Sequence, residues 1–199
     1  MKLNYLITIC MLFVLTPSPL FSETGRWEQE LSGDGWQLWL DQSALWYHDD
    51  IYLPPVDVSA LPVNPPTGGW ERLYGAERLT VAVPGTVEEH YWGAIGGSIP
   101  DVGGDYVGVS WWSRKFTLDP ILEGKRITLH FESVNLRAEI FVNGRLSGYD
   151  VIGNTPFEVN ITNAVKFGEE NRLDVRITCL LYTSPSPRDR TRSRMPSSA

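Results

Sequence analysis

A chain of 199 residues, 42% apolar and carrying eight Trp and eight Tyr, can fold as one ordinary domain that buries roughly two thirds of its unfolded surface. Its net charge of −7 argues against nucleic acid and against anionic lipid as partners. Two cysteines exclude a disulfide-built scaffold, so stability has to come from a packed core.

The chain opens MKLNYLITICMLFVLTPSPLFSETG, with Lys2 ahead of an apolar run from Tyr5 to Leu15 and then Pro17 and Pro19. This is the pattern of a secretory signal peptide. The run is shorter than the about 20 apolar residues that a lasting membrane span needs. The expectation is a leader over residues 1–22, cut near Ser22, and an exported protein, periplasmic or extracellular, without a stable membrane anchor. Lipid anchoring through Cys10 would need a small residue before it, and Ile9 stands there. Loss of the leader leaves Cys179 alone, so no internal disulfide is expected.

Residues 23–178 read as a single domain of period-2 segments, the signature of strands with one face buried. WQLWLD (Trp36 to Asp41) is the first. The interval 43–69, rich in Pro, Asp and Tyr, reads as a long surface insertion. LTVAVP (Leu79 to Pro84) is a second strand, and GTVEEHYWG (Gly85 to Gly93) is the one stretch that reads as a short helical turn. The Gly-rich GAIGGSIPDVGGD (Gly93 to Asp105) follows as a loop, and YVGVSWWSRKFTL (Tyr106 to Leu118) resumes the strand pattern. Trp112 and Phe116, on one strand face with Ser110, are expected in the core.

In KRITLHFES, Ile127, Leu129 and Phe131 share one face, while Thr128, His130 and Glu132 take the other. RAEIFVNGRLSG alternates through Ala138, Ile140 and Val142 into Asn143-Gly144, the strongest short signal for a two-residue hairpin, because both central positions need positive φ. PFEVNIT aligns Phe157, Val159 and Ile161. NRLDVRIT aligns Leu173, Val175 and Ile177 against Arg172, Asp174 and Arg176. Strands joined by Gly, Asn and Pro turns predict an all-β fold, an antiparallel β-sandwich or jelly roll. Asn135 is expected to cap or bend the end of the strand that precedes it, and Arg114 and Glu158 to satisfy each other or backbone groups.

No chemistry-bearing motif stands out. Glu88-Glu89 and Asp49-Asp50 are neighbours in sequence, point in different directions and cannot face each other across one reacting bond. His48, His90 and His130 lack zinc-ligand spacing, and there is no nucleophile elbow or phosphate loop. No catalytic residue, metal or cofactor is therefore expected. The Trp content suits a neutral polar ligand such as a carbohydrate, whose apolar faces stack on indole rings. The competing reading is that most of these Trp are core.

The tail CLLYTSPSPRDRTRSRMPSSA (179–199) holds four Arg against Asp189 alone, which leaves the rest of the chain with 13 Lys+Arg and 23 Asp+Glu. Ser-Pro-Ser-Pro cannot continue a ladder, because each Pro removes a donor. The expectation is a disordered, non-native tail, since CLLYTSPSPRD resembles the translation of a common sequencing-adapter DNA. A basic binding arm is the alternative.

The ordered set of WQLWLD, VPGTVEEHYWG, SWWSRKF, FESVNLRAEIFVNGR, TPFE and ENRLDV resembles the N-terminal sugar-binding domain of glycoside hydrolase family 2, which includes β-galactosidases, β-glucuronidases and β-mannosidases. The resemblance runs from Trp36 to Thr178, with 43–69 poorly matched. It implies a galactose-binding-like jelly roll beside a later (β/α)8 barrel that carries the two catalytic Glu and retains configuration. The implied partners are a β-glycoside ligand and that barrel of an intact parent chain. By position, the Gly93–Asp105 loop corresponds to the family loop that approaches the active site, which makes Asp101 and Asp105 rim candidates for sugar contact. The alternatives are a stand-alone carbohydrate-binding module and a structural surface domain without enzymatic activity.

Overall fold

A computed structural model describes residues 26–45, 48–91 and 106–179, in two units, Met1–Leu31 and Ser32–Ala199. In the first, residues 26–31 form no strand or helix, and Arg26 pairs with Glu28 at 2.8 Å in solvent.

The second unit is built from strands β1 (Gly33–Asp41), β2 (Leu79–Val83), β3 (Gly108–Thr117), β4 (Thr128–Phe131), β5 (Arg137–Val142), β6 (Arg145–Asp150), β7 (Phe157–Asn160) and β8 (Glu170–Cys179). Two short helices, α1 (Trp70–Gly75) and α2 (Val87–Tyr91), interrupt them. A six-stranded sheet runs in the order β2-β1-β3-β8-β5-β6, and β4 pairs with β7 in a second sheet. Pairing between these strands is antiparallel throughout, so the chain is an all-β antiparallel sandwich.

Each strand lies where its alternation places it. Val142 and Arg145 close the β5–β6 hairpin across Asn143 (φ 51°) and Gly144 (φ 77°), the primed turn that Asn-Gly favours. Trp112 and Phe116 are buried at 5% and 6% exposure. The two sheets meet closely at Gly148, where an added Cβ would come within 2.6 Å of both Val159 methyl carbons. Arg114 Nη1 donates to the carbonyls of Ser32 and Asp34, while Glu158 faces His130 at 3.8 Å, so those two side chains do not satisfy each other. Asn135 stands ahead of β5, on the amino side of a cis peptide bond to Leu136.

Two features depart from the sequence reading. α1 is a second helix, capped at Gly69 without a side-chain hydrogen bond, and too short for a helical period to show. The other departure concerns the faces. Strands with charged alternate residues were expected to be half-buried, yet all six residues of β5 are buried, including Arg137 and Glu139, and so are Asp174 and Arg176 on β8. Segment 43–75 covers this second face. On it Leu73, Val109, Trp111 and Phe141 form a core cluster joined by Trp39, Ala44, Trp70 and Leu146. Trp70, Trp111 and Phe141 have ring centroids 5.2–5.6 Å apart, contacts worth about 0.5–1.5 kcal/mol each beyond area burial.

Candidate functional site

Strand register gathers polar groups at one end of the large sheet. β1 ends there at Asp41, β3 begins there at Gly108, β8 ends there at Cys179, and β5 starts there at Arg137. Side chains opposite one another across antiparallel strands share a face, so Trp39, Trp111, Arg176, Glu139 and Tyr149 form one row and Val109, Thr178 and Arg137 another.

Asp49, from the segment laid over this face, reaches into both rows. Its Oδ1 accepts from Arg176 Nη1 (2.6 Å), Arg137 Nη1 (2.8 Å) and the Thr178 hydroxyl (2.8 Å), and its Oδ2 from Arg176 Nη2 (3.0 Å). Glu139 Oε2 accepts from the same Arg137 and Arg176 nitrogens at 2.9 and 2.7 Å. Its Oε1 accepts from Asn64 Nδ2 at 3.0 Å, and that amide also donates to His48 O. Arg137 stacks over the Tyr149 ring at 5.2 Å. All four charged side chains are at most 4% exposed.

Two guanidinium and two carboxylate groups balance, which is the condition for burying charge at all. Burial pushes the Asp49 carboxyl up, but the hydrogen bond and charge of Arg176, with Thr178 and Arg137, outweigh it and hold the group below the ordinary carboxylate value of 3.8. Burial likewise pulls Arg176 down, and Asp49 and Glu139 more than reverse this. These contacts favour the charged forms of Asp49 and Arg176.

Asp49 and Glu139 bind one nitrogen of Arg176 and therefore lie side by side, as the two carboxylates of a retaining glycosidase do at about 5 Å. Their hydrogen-bond partners and burial rule out that role. Every oxygen of these two carboxylates already has a partner, and at 4% and 1% exposure neither can reach a substrate. Glu88 and Glu89 are also committed. Glu88 accepts the Tyr106 N–H at 2.7 Å. Glu89 Oε2 accepts the Thr86 N–H at 3.0 Å while Thr86 Oγ1 accepts the Glu89 N–H at 3.2 Å, a capping box at the start of α2.

A second corner lies at the same sheet end. Asp41 Oδ2 accepts from the Thr67 N–H (2.9 Å) and from Trp111 Nε1 (3.4 Å). Tyr106 donates its hydroxyl to Val109 O at 2.9 Å. Burial first, then the neighbouring Asp41, Tyr91 and Cys179, raise that phenol well above its ordinary range, so it remains a neutral donor. Among the described residues no group of three or more His, Cys, Asp or Glu is placed to hold a metal ion. Asp101 and Asp105 lie outside the described residues.

The charged cluster was missed in the sequence, where Arg137, Glu139 and Arg176 occupy the polar half of an alternation. The available signal was charge of both signs at i, i+2 on neighbouring strands, in RAE and in RLDVR, which lets opposite charges meet across a ladder.

Comparison with known proteins places this arrangement. Residues 35–187 match the model of glycosyl hydrolases family 2, sugar binding domain. The chain is 40% identical over 74 residues to a β-galactosidase of Thermoanaerobacter pseudethanolicus, a match covering 37% of this chain and 10% of that protein. It is 36% identical over 70 residues to a β-glucuronidase of Formosa agariphila, covering 35% of this chain and 7% of that one. The solved structure of Lactobacillus rhamnosus β-glucuronidase superposes with a TM-score of 0.52 at 27% identity, over 76% of this chain and 21% of that chain. The family match extends over about three quarters of the residues: the chain belongs to glycoside hydrolase family 2 and holds that family's sugar binding domain.

Proposed function

We propose that this chain is the non-catalytic front domain of an exported, retaining β-glycosidase. The observation that carries the reading is the family match over residues 35–187, together with relatives named as β-galactosidase and β-glucuronidase of which the matched segments are 10% and 7%. The commitment of Asp49, Glu139, Glu88 and Glu89 to structural hydrogen bonds supports a chemistry located elsewhere in the intact protein. The leader-like residues 1–22 support export. In this reading the sandwich flanks the catalytic barrel. Asp101 and Asp105 are the rim residues that hydrogen-bond sugar hydroxyls, while the two carboxylates of the barrel perform the displacement.

The test is to recover the intact locus from source DNA and express its product. Hydrolysis of nitrophenyl β-galactosides or β-glucuronides with retained configuration is expected from the longer protein. Titration of the 199-residue chain with galactosides, mannosides and glucuronides, followed by Trp emission, separates a sugar-binding domain from a structural one. A locus that closes near Thr178 would leave a stand-alone module, and no emission change with any sugar would leave a scaffold.

A further inference from the structure

Toward the β5–β6 hairpin end of the large sheet, α1 lays Tyr74 over β8. Arg172, Asp174 and Arg176 alternate onto one face of β8, which sets Arg172 roughly 20 Å along the strand from Thr178, at the end held by Asp49. The Arg172 guanidinium stacks on the Tyr74 ring, 3.4 Å from its centroid, and its Nε donates to Asp174 Oδ1 at 3.0 Å. That oxygen also accepts from the Ser113 hydroxyl. Trp70, one turn back on α1, lies 6.0 Å from Tyr74, and Arg78 Nη2 donates to Tyr74 O at 3.4 Å. Held on these sides, Tyr74 still keeps 37% of its surface exposed.

Charge does not balance at this corner. Around Asp49 two guanidinium groups meet two carboxylates, whereas Arg78 and Arg172 share Asp174 alone. Burial first, then the like charge of Arg172, pulls the Arg78 guanidinium below its ordinary value, with Asp174 and Tyr74 opposing. Among the described residues Arg78 has no carboxylate within ion-pair distance, and the buried Arg172 Nη2 has no hydrogen-bond partner. Lys115, opposite Arg172 on β3, is already answered by Glu170 at 2.8 Å. A half-buried cation without a counter-ion, in a chain of net charge −7, calls for an anion.

We infer that Tyr74, Arg78 and Arg172 form a binding site for a uronic acid residue of a glycan. This rests on the reading of the chain as part of a β-glycosidase. A hexuronate supplies what the corner lacks: a planar carboxylate for the Arg78 fork and a face of C–H groups for the exposed Tyr74 ring. A neutral sugar would leave Arg78 unpaired, and a bare inorganic anion would leave the ring uncovered. The Arg172 stack and the Asp174 bond fix the ring beforehand, so little side-chain freedom is lost on binding.

The test is an amide chemical-shift NMR titration of the 199-residue chain with methyl β-glucuronide, methyl β-glucoside and inorganic phosphate. The glucuronide should bind at least about tenfold tighter than the glucoside, the worth of one charge-assisted hydrogen bond, and should shift the Tyr74 and Arg78 amides. Arg78→Met should bind the two sugars equally. It removes only the 3.4 Å contact to Tyr74 O, so the melting temperature should stay where it is. Tyr74→Phe should keep the preference, and Tyr74→Ser should weaken both sugars. No binding of either sugar, equal affinity for the two, a preference that survives Arg78→Met, or phosphate bound as tightly as the glucuronide overturns the site. Hydrolysis of β-glycosides by the full-length protein is measured separately. Its absence overturns the functional reading, and its presence beside a 199-residue chain indifferent to the glucuronide overturns the site alone.

Discussion

At the scale of residues, the decisive group is Asp49, because it ties an inserted segment to two strands through four hydrogen bonds. Asp49→Asn would leave two buried guanidinium groups against the single charge of Glu139. Breaking a buried pair in this way costs about 3–5 kcal/mol, a loss that urea unfolding at pH 7 should register. The pH dependence has a definite sign. The folded Asp49 carboxyl lies below its unfolded value, so its stabilisation is fully present above the ordinary carboxylate range and is lost as pH falls through the folded value. Asp150 behaves oppositely. Burial raises its carboxyl despite the amides of Ile152 and Val151, so the ionised form costs stability at neutral pH and acid relieves that cost. Asp150→Asn keeps an acceptor for Ile152 and should melt no lower than the parent at pH 7, with the gap narrowing toward pH 4. A lower melting temperature at pH 7 would contradict the assignment.

At the scale of elements, packing of the two sheets depends on the missing side chain at Gly148. A Cβ there would lie 2.5 Å from one Val159 methyl carbon and 2.6 Å from the other, so Gly148→Ala should push β7 away and cost about 1–3 kcal/mol. Val159→Ala in the same chain should restore part of that loss, a non-additivity that a double-mutant cycle reads directly. The β5–β6 hairpin gives a second case. Asn143 tolerates φ 51°, donates Nδ2 to Ala164 O and Asn171 Oδ1, and accepts the Arg172 N–H. Asn143→Ala removes three hydrogen bonds and strains the turn, and thermal melting should show a loss of about 1–3 kcal/mol.

At the scale of the whole molecule, the chain is a scaffold whose large sheet is covered on both faces, by the small sheet and by segment 43–75. The Asp49, Glu139, Glu88 and Glu89 carboxylates are engaged in holding that architecture, so the 199-residue chain should give no turnover of nitrophenyl β-glycosides in a discontinuous assay. Hydrolysis that disappears with Glu88→Gln or Glu89→Gln would move the chemistry into this domain. Strand positions, the Asn143-Gly144 turn and the short helical turn from Gly85 to Gly93 were legible because each depends on a few adjacent residues: period-2 alternation, a turn needing positive φ, and a break in that alternation. The family was legible for the same reason, as an ordered series of such local motifs. The buried Arg137, Glu139, Asp174 and Arg176 were not. Alternation reports which residues differ between faces, and a charged face reads as solvent unless the partner that neutralises it is known. That partner, Asp49, lies 127 residues from Arg176 in the chain. The sequence by itself therefore determined the strands, their turns and the kinship. Tertiary structure alone decided that the second face is closed, because only register and chain return bring opposite charges within hydrogen-bonding distance, where each cancels the burial cost of the other.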